Sequence, residues 1–348
     1  VKDTQLQISL PGVPKAKQGR AVAPRWAWTE AVPPVENRVV EMALRNALEP
    51  IFEHTFAEHS YGFRPGRGAK DALRRVAQLL AAGKRWIVDA DLKGYFDSIP
   101  QEKLLAAVAE RVADGAVLKL IERFLKQGVM ESGKGWNPTE TGTPPGAVLS
   151  PLLANIYLNP LDQWMAGKGW EMVRYADDFI ILCENQEKAQ AALQEVRQWV
   201  EQAGLTLHPT KTRLVDANQT GGFDFLGYHF ERGMRWPRRK SLEKFKEAIR
   251  QKTQRTRSDS IKQIIEETNR TLRGWFNYFQ HSIPNIFKPL DQWIRGRLRS
   301  VLRKRHKGNG RARGNDHQRW PNAYFAELGL ISLALARAKA ANARKEAY

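Results

Sequence analysis

Cysteine is nearly absent from this chain: Cys183 is the only one in 348 residues. A single thiol excludes an internal disulfide framework and any zinc ribbon or endonuclease module built on cysteine pairs. Its neighbours Ile181 and Leu182 place it in a buried strand. The histidines (His54, His59, His208, His229, His281, His306 and His317) show no metal-ligand spacing, so none is read as a ligand. No apolar run approaches the roughly 18 residues that a membrane span requires. The N-terminus lacks a charged start followed by an apolar stretch, so neither a membrane span nor a signal peptide is expected. No internal repeat is visible.

Acidic residues are scarce in one region only. Residues 231–348 hold 29 Lys+Arg against 10 Asp+Glu, whereas residues 1–230 hold 27 of each, so the formal charge of +19 sits wholly in the C-terminal third. A solvated charged face would mix both signs. A neutral body joined to a strongly basic appendage points to a polyanionic partner.

The length and the 42% hydrophobic content suit two or three domains with a substantial core. Residues 1–34 are broken by Pro11, Pro14, Pro24, Pro33 and Pro34 and show no helical period. An amphipathic helix is then expected with Val39, Ala43, Leu44 and Leu48 on one side, and a second over Ala69 to Ala82, ending at Gly83. Leu104-Leu105-Val108 and Val117-Leu120-Ile121-Phe124 give two further helical faces. Ser150-Pro151 reads as an N-cap followed by proline at the first helical position. Leu193, Val196 and Val200 line another helix, stopped by Gly204. Strands alternating with helices around antiparallel hairpins predict an α+β fold rather than a parallel Rossmann sheet. Beyond residue 231 the pattern is helical and basic. Ile261, Ile264, Ile265, Leu272, Phe276 and Phe279 mark one long helix, and Trp293, Ile294, Leu298, Val301 and Leu302 another. Gly308 to Asn315 reads as a flexible basic link, and Arg319-Trp320-Pro321-Asn322-Ala323-Tyr324-Phe325 is aromatic enough to dock.

Within this frame, Tyr175-Ala176-Asp177-Asp178 lies between Met172-Val173-Arg174 and Phe179-Ile180-Ile181-Leu182. Two adjacent carboxylates in so apolar a run are costly unless a cation sits beside them. A second source of carboxylates is the strand Arg85-Trp86-Ile87-Val88-Asp89-Ala90-Asp91-Leu92, in which period-2 alternation puts Asp89 and Asp91 on one face. Two strands delivering carboxylates to one point is the arrangement that two-metal phosphoryl transfer uses.

Six segments in order resemble the reverse transcriptase (maturase) encoded by bacterial group II introns. They are Tyr61-Gly62-Phe63-Arg64-Pro65-Gly66-Arg67; Asp91-Leu92-Lys93-Gly94-Tyr95-Phe96; the run from Gly142 through Pro144-Pro145-Gly146 and Ser150-Pro151 to Leu158; Tyr175-Ala176-Asp177-Asp178; Phe225-Leu226-Gly227; and Leu272-Arg273-Gly274-Trp275-Phe276-Asn277-Tyr278-Phe279. The resemblance implies a right-hand polymerase fold, with fingers and palm followed by an all-α basic thumb. It divides the chain into fingers (1–85), palm (86–231), helical thumb or maturase domain (232–305) and a basic C-terminal extension (306–348), without the C-terminal endonuclease module.

The resemblance further implies an RNA-directed DNA polymerase of a mobile element. It would extend a DNA primer 3′-hydroxyl on an RNA template with dNTPs and two Mg²⁺, and bind structured intron RNA to assist splicing in the bacterial cytoplasm. Asp91, Asp177 and Asp178 would hold the metals, with Asp89 and Asp97 structural or solvated. Phe96 would lie against the sugar and disfavour a 2′-hydroxyl. Lys211 would approach the leaving pyrophosphate and stabilise its developing charge. Arg64, with Pro145 and Gly146, would contact the nucleotide, and Phe225, Leu226 and Gly227 would form the primer grip. Arg67, Arg273, Arg295, Arg299 and Arg303 would bind nucleic acid. The aromatics around Arg273 fit either base stacking or core packing.

Two departures stand out. Pro145-Gly146-Ala147 replaces the family's Gln-Gly-Gly, removing a side-chain amide and a backbone N–H. Residues 1–34 lack the family's basic strand, offering only Lys15, Lys17, Arg20 and Arg25. Two other roles therefore stay open: an RNA-binding splicing factor with a weakened polymerase site, and a free-standing reverse transcriptase used in repair or defence.

Overall fold

The computed structural model describes residues 35–126, 129–131, 135–137, 141–144 and 146–345. The chain divides into two compact units, residues 1–214 and 215–348. By this division the hairpin carrying Phe225-Leu226-Gly227 goes with the C-terminal unit, whereas the sequence-based boundary puts it in the palm.

In the first unit, α1 (Val35–Glu53) and α2 (Ala69–Ala81) precede β1 (Trp86–Asp91). Three helices follow, α3 (Tyr95–Ser98), α4 (Gln101–Ala109) and α5 (Gly115–Leu125), then a short pair, β2 (Val129–Glu131) and β3 (Gly135–Asn137). Next come α6 (Ser150–Gly167), the hairpin β4 (Glu171–Tyr175) and β5 (Asp178–Cys183), α7 (Gln186–Gln202) and, straddling the division at residues 214 and 215, β6 (Arg213–Asp216). The sheet order is β4-β5-β1-β6, with β1 and β4 both antiparallel to β5. The central strand, β5, is apolar throughout after Asp178 because it is covered on both faces: Phe179 to Cys183 are all buried. Cys183 is among them, and burial pushes its thiol up to about 11.

Two sequence expectations change. On α1 the buried positions are Glu41, Leu44, Leu48 and Phe52, while Val39 is 63% exposed and Ala43 is exposed too. A carboxylate takes the inward position because it serves the backbone of a distant loop. Glu41 Oε2 accepts from the N–H groups of Val148 (2.5 Å) and Leu149 (3.4 Å). It thereby caps α6 from far away in sequence, where a negative charge suits the positive end of a helix. Ser150 is consequently not the N-cap. It lies inside the first turn, and its hydroxyl donates to Pro144 O (3.0 Å).

The second unit holds a meander, β7 (Phe223–Phe225), β8 (Tyr228–Glu231) and β9 (Met234–Pro237), followed by α8 (Arg239–Lys252), α9 (Ile261–Phe279), α10 (Phe287–Arg305), α11 (Asp316–Arg319), α12 (Asn322–Glu327) and α13 (Leu333–Lys345). Its core joins Phe245, Ile264, Leu272, Ile294, Leu298 and Val301 with Trp320 and Phe325, so the aromatic C-terminal segment docks on its own unit. The α9 aromatics pack rather than project: Trp275 stacks on Phe245 (4.4 Å between centroids) and lies 5.0 Å from Phe279. No helix among the described residues is long and apolar enough to cross a membrane.

Candidate active site

Register builds the acidic centre. Asp91, the last residue of β1, pairs across the sheet with Asp178, the first of β5. Asp178 also pairs with Tyr175 on β4, leaving Ala176-Asp177 as a two-residue turn. Ala176 has φ 60°, a left-handed conformation that costs a residue with a Cβ about 1–2 kcal/mol. The reason for a small residue there is visible: Ala176 is buried, and a Cβ on Gly62 would come within 2.2 Å of Ala176 N. Glycine at 62 and alanine at 176 let the two backbones touch.

A buried guanidinium holds that turn. Arg174 is fully buried, and its Nη1 donates to Ala176 O (2.8 Å) and to Asn155 Oδ1 (2.9 Å). Its Nη2 donates to Ser60 Oγ (2.7 Å) and Asp162 Oδ2, and its Nε to both carboxylate oxygens of Asp162 (2.7 and 3.0 Å). Asn155 Nδ2 completes the ring by donating to Gly62 O (2.8 Å). All five guanidinium N–H groups thus have acceptors. In the sequence, Arg174 and Asn155 stand out only as parts of motifs, and Asp162 not at all. The signal that could have found the cluster is a charged residue inside an apolar strand.

Basic side chains from the loop before β6 and from its first residue face the β1 carboxylates. The backbone of residues 206–208 runs beside the end of β1 through Lys93 N–H to Thr206 O (2.8 Å) and His208 N–H to Asp91 O (2.7 Å). This brings Lys211 Nζ to 2.6 Å from Asp91 Oδ2 and Arg213 Nε to 3.0 Å from Asp89 Oδ2. Burial, and to a smaller extent the charge of Asp91, push the Asp177 carboxyl above its ordinary range, while its own backbone N–H, Arg174 and Lys211 pull it down. Asp97 is exposed.

The donor set consists of hard carboxylate oxygens, which fits a divalent metal ion that takes oxygen ligands. Among the described residues no three acidic, histidine or cysteine side chains converge on one point. The carboxylates therefore occupy neighbouring positions rather than a closed cage.

An aromatic wall stands alongside. Phe96 is half-buried on α3, edge-on to Phe63 (6.5 Å) and Tyr95 (5.5 Å), and Phe63 also meets Tyr175 (6.4 Å). Phe63 is 45% exposed at φ 58°. Gly142, at φ 80°, abuts the Phe96–Asp97 backbone, where a Cβ would lie 2.6 Å from Phe96 O. Its N–H donates to Ile99 O (2.7 Å) and that of Thr143 to Phe96 O (2.7 Å), so the loop leading to Gly146 is fastened under α3. Gly146 is exposed with φ 74°. Pro145 lies outside the described residues.

Several expected contact residues prove to be internal. Arg64 is a correction: its side chain is 3% exposed, and its donors go to the Glu53 carboxylate (2.7 Å), Ala57 O (2.7 Å), Ser60 O (2.8 Å) and Glu53 O (3.2 Å). No donor remains for a phosphate. Arg67 is half-buried over the Tyr61 ring (5.9 Å). In the C-terminal unit Arg299 is a second correction, buried and bonded to Trp320 O and Asn322 Oδ1 (both 2.8 Å). Arg303 pairs with Asp316 (2.7 Å). Arg295 is half-buried, and Arg273 is exposed. The Phe225-Leu226-Gly227 segment is the tight turn between β7 and β8, with positive φ at both Leu226 (46°) and Gly227 (82°), the type I′ pattern. Tyr278 hydroxyl donates to Leu226 O (2.7 Å), which ties the turn to α9.

An aspartate strand set against an Asp-Asp hairpin, flanked by a helix-borne aromatic and followed by a basic helical unit, defines a polymerase palm of the right-hand class. The chain belongs to the reverse transcriptase (RNA-dependent DNA polymerase) family, whose model matches residues 23–230, and the group II intron maturase-specific domain matches residues 242–320. Reverse transcriptases use divalent metal ions. The chain is 32% identical over 240 residues to Protein YkfC of Escherichia coli K12, covering 58% of this chain and 62% of that one. It is 39% identical over 134 residues to the group II intron-encoded protein LtrA of Lactococcus lactis subsp. cremoris, covering 38% of this chain and 22% of that one. The chain thus spans less than two thirds of the length of these relatives. Among solved structures, apo telomerase from Candida tropicalis is 11% identical with a TM-score of 0.48, covering 87% of this chain and 54% of that one.

Proposed function

We propose that this chain is an RNA-directed DNA polymerase that extends a DNA primer on an RNA template and binds structured group II intron RNA to assist its splicing. The observation that carries the reading is the register of Asp91 against Asp178 beside the Asp177 turn, in a chain of the reverse transcriptase family. Asp91, Asp177 and Asp178 hold two Mg²⁺ in this reading. When bound, the ions supply activation of the attacking 3′-hydroxyl and neutralisation of the leaving pyrophosphate.

The chain's own residues have distinct roles. Were Asp91 to hold a metal, Lys211, 2.6 Å from its carboxylate, would be free to face the pyrophosphate oxygens. Phe96 selects deoxynucleotides by filling the space a 2′-hydroxyl would need. Phe225, Leu226 and Gly227 hold the primer end on a turn that Tyr278 ties to α9. Arg67, Arg273 and Arg295 contribute to nucleic-acid binding, as part of a C-terminal third whose charge balance favours RNA in the case of the latter two. The division into fingers, palm, thumb and extension, and action in the bacterial cytoplasm, belong to the same proposal.

Primer extension on poly(rA)/oligo(dT) with Mg²⁺ tests it. Incorporation of dTTP that requires Mg²⁺ and is lost in Asp177→Asn is expected. RNA binding without any extension by the wild-type protein would instead support the splicing-factor role.

A further inference from the structure

A cavity of about 340 Å³ opens in the C-terminal unit where β9, α8 and the start of α10 meet. Its lining is mostly apolar and includes two half-buried indoles, Trp236 and Trp293, together with Leu242, Pro289 and Leu290, and Lys246 is among its few polar groups. The volume lies near the lower end of small-ligand pockets, about 300–1,000 Å³. That is room for a nucleoside and too little for a peptide helix.

Trp293 also belongs to a basic cluster. The guanidinium carbons of Arg250 and Arg297 each lie 5.9 Å from its ring centroid. Arg297 is fixed by bonds to Thr253 Oγ1 (2.7 Å) and Thr253 O (3.0 Å). Burial first, then the charges of Arg250, Arg255 and Arg311, push its pKa down, while Glu247 pulls it up. Glu247 itself pairs with Arg250 (3.0 Å). Arg250, Arg255 and Arg311 are all exposed. Arg250 and Arg297 share the Trp293 ring, and Arg255 donates to Gly310 O (2.9 Å), next to Arg311; an anion arriving from outside relieves the repulsion among such guanidinium groups.

We infer that this pocket receives one unstacked nucleobase of single-stranded RNA, its ring against Trp236 and Trp293 and its flanking phosphates on Arg250, Arg255, Arg297 and Arg311. The inference rests on the reading that the C-terminal unit binds RNA, and it names where that unit would distinguish an unpaired nucleotide from a bare phosphate chain. Aromatic rings in a basic groove are the usual means of holding unstacked bases.

The test compares binding of a short single-stranded oligoribonucleotide with binding of a fully abasic strand of equal length, using intact protein. Wild type is expected to prefer the base-bearing strand about tenfold, equivalent to about 1.4 kcal/mol. Trp293→Leu and Trp236→Leu should each remove most of that preference, and Trp293→Phe should retain it. If a leucine variant with a wild-type melting curve still discriminates, the pocket does not hold a base. If wild type binds both strands equally with a steep salt dependence, the pocket inference fails while RNA binding stands. Binding of neither strand overturns both. Should the leucine variants not fold, photo-crosslinking of a 4-thiouridine strand to wild type decides. Adducts on peptides containing Trp236 or Trp293 support the site, and adducts confined elsewhere overturn it.

Discussion

Arg174 and Arg297 carry the same group in opposite settings. In the N-terminal unit, Arg174 is sealed beneath the acidic turn with every N–H accepted and Asp162 as its buried counter-charge. In the C-terminal unit, Arg297 shares the Trp293 ring with Arg250, and the positive charges of Arg250, Arg255 and Arg311 push its pKa down. The composition of the units runs the same way. Residues 1–214 hold 27 Lys+Arg and 25 Asp+Glu, and residues 215–348 hold 29 and 12. At Arg174 positive charge is architecture, closed off from solvent and bonded to the Ala176 carbonyl. In the second unit much of it is left uncompensated, which costs stability and leaves a surface suited to a polyanion. Arg299 shows that this contrast belongs to environments and not to units as a whole, since it too is buried and donates to Trp320 O and Asn322 Oδ1.

The contrast breaks most sharply at Arg174. Arg174→Met leaves Asp162 buried without its partner, and a loss of about 3–5 kcal/mol is expected. Asp162→Leu added to it should restore part of the melting temperature without restoring extension, because the Ala176 carbonyl still lacks its donor. Calorimetry and primer extension on the single and double variants would show it, and full recovery of extension would exclude a positioning role for Arg174.

Asp177→Asn is expected next in size. Removing one charge at near-constant shape should lower extension a hundredfold or more, about 2.7 kcal/mol, while RNA binding in a filter assay stays within a factor of about two, given that the basic unit supplies it. Extension at near wild-type rates would remove Asp177 from the metal site.

A third comparison lies within the basic unit. Arg250→Gln with Arg255→Gln should flatten the log–log salt dependence of single-stranded RNA binding by about 1.4, at about 0.7 per lost phosphate contact. Arg299→Gln should leave that slope unchanged and lower the melting temperature. The reverse outcome would mean that Arg299 reaches RNA and the exposed arginines do not.

The smallest expected effect concerns the loop before α6. Pro145→Gln with Ala147→Gly restores the side-chain amide and the backbone donor. A tenfold rise in kcat/KM for dNTP, about 1.4 kcal/mol, is within reach of one or two hydrogen bonds. Steady-state extension kinetics measure it, and equal or lower activity would mean that the loop has adapted around proline.

Legibility follows the range of the interaction. The β4–β5 hairpin and the β1 strand are readable because their apolar character and the Asp-Asp pair are contiguous in sequence, and antiparallel pairing then puts Asp91 opposite Asp178. The buried face of α1 departs from its hydrophobic pattern because Glu41 answers to Val148 and Leu149 on a distant loop, and such a pattern counts a carboxylate as outward. Ser150 carries a good local capping signature, yet that distant glutamate already fills the role. Arg64 and Arg299 look like phosphate ligands, one following a glycine turn and the other lying in a run of arginines. Burial by Glu53 and by the Trp320–Asn322 segment reverses both readings.

Periodicity, contiguous motifs and composition are properties of neighbouring residues, and from them alone the main elements, the family resemblance and the imbalance of charge follow. Which guanidinium groups are occupied and which are available is a matter of the folded chain. Each has five donors to satisfy, and the acceptors that satisfy them, such as Asp162, Asn155 and Ser60 around Arg174, arrive from segments that no local pattern links.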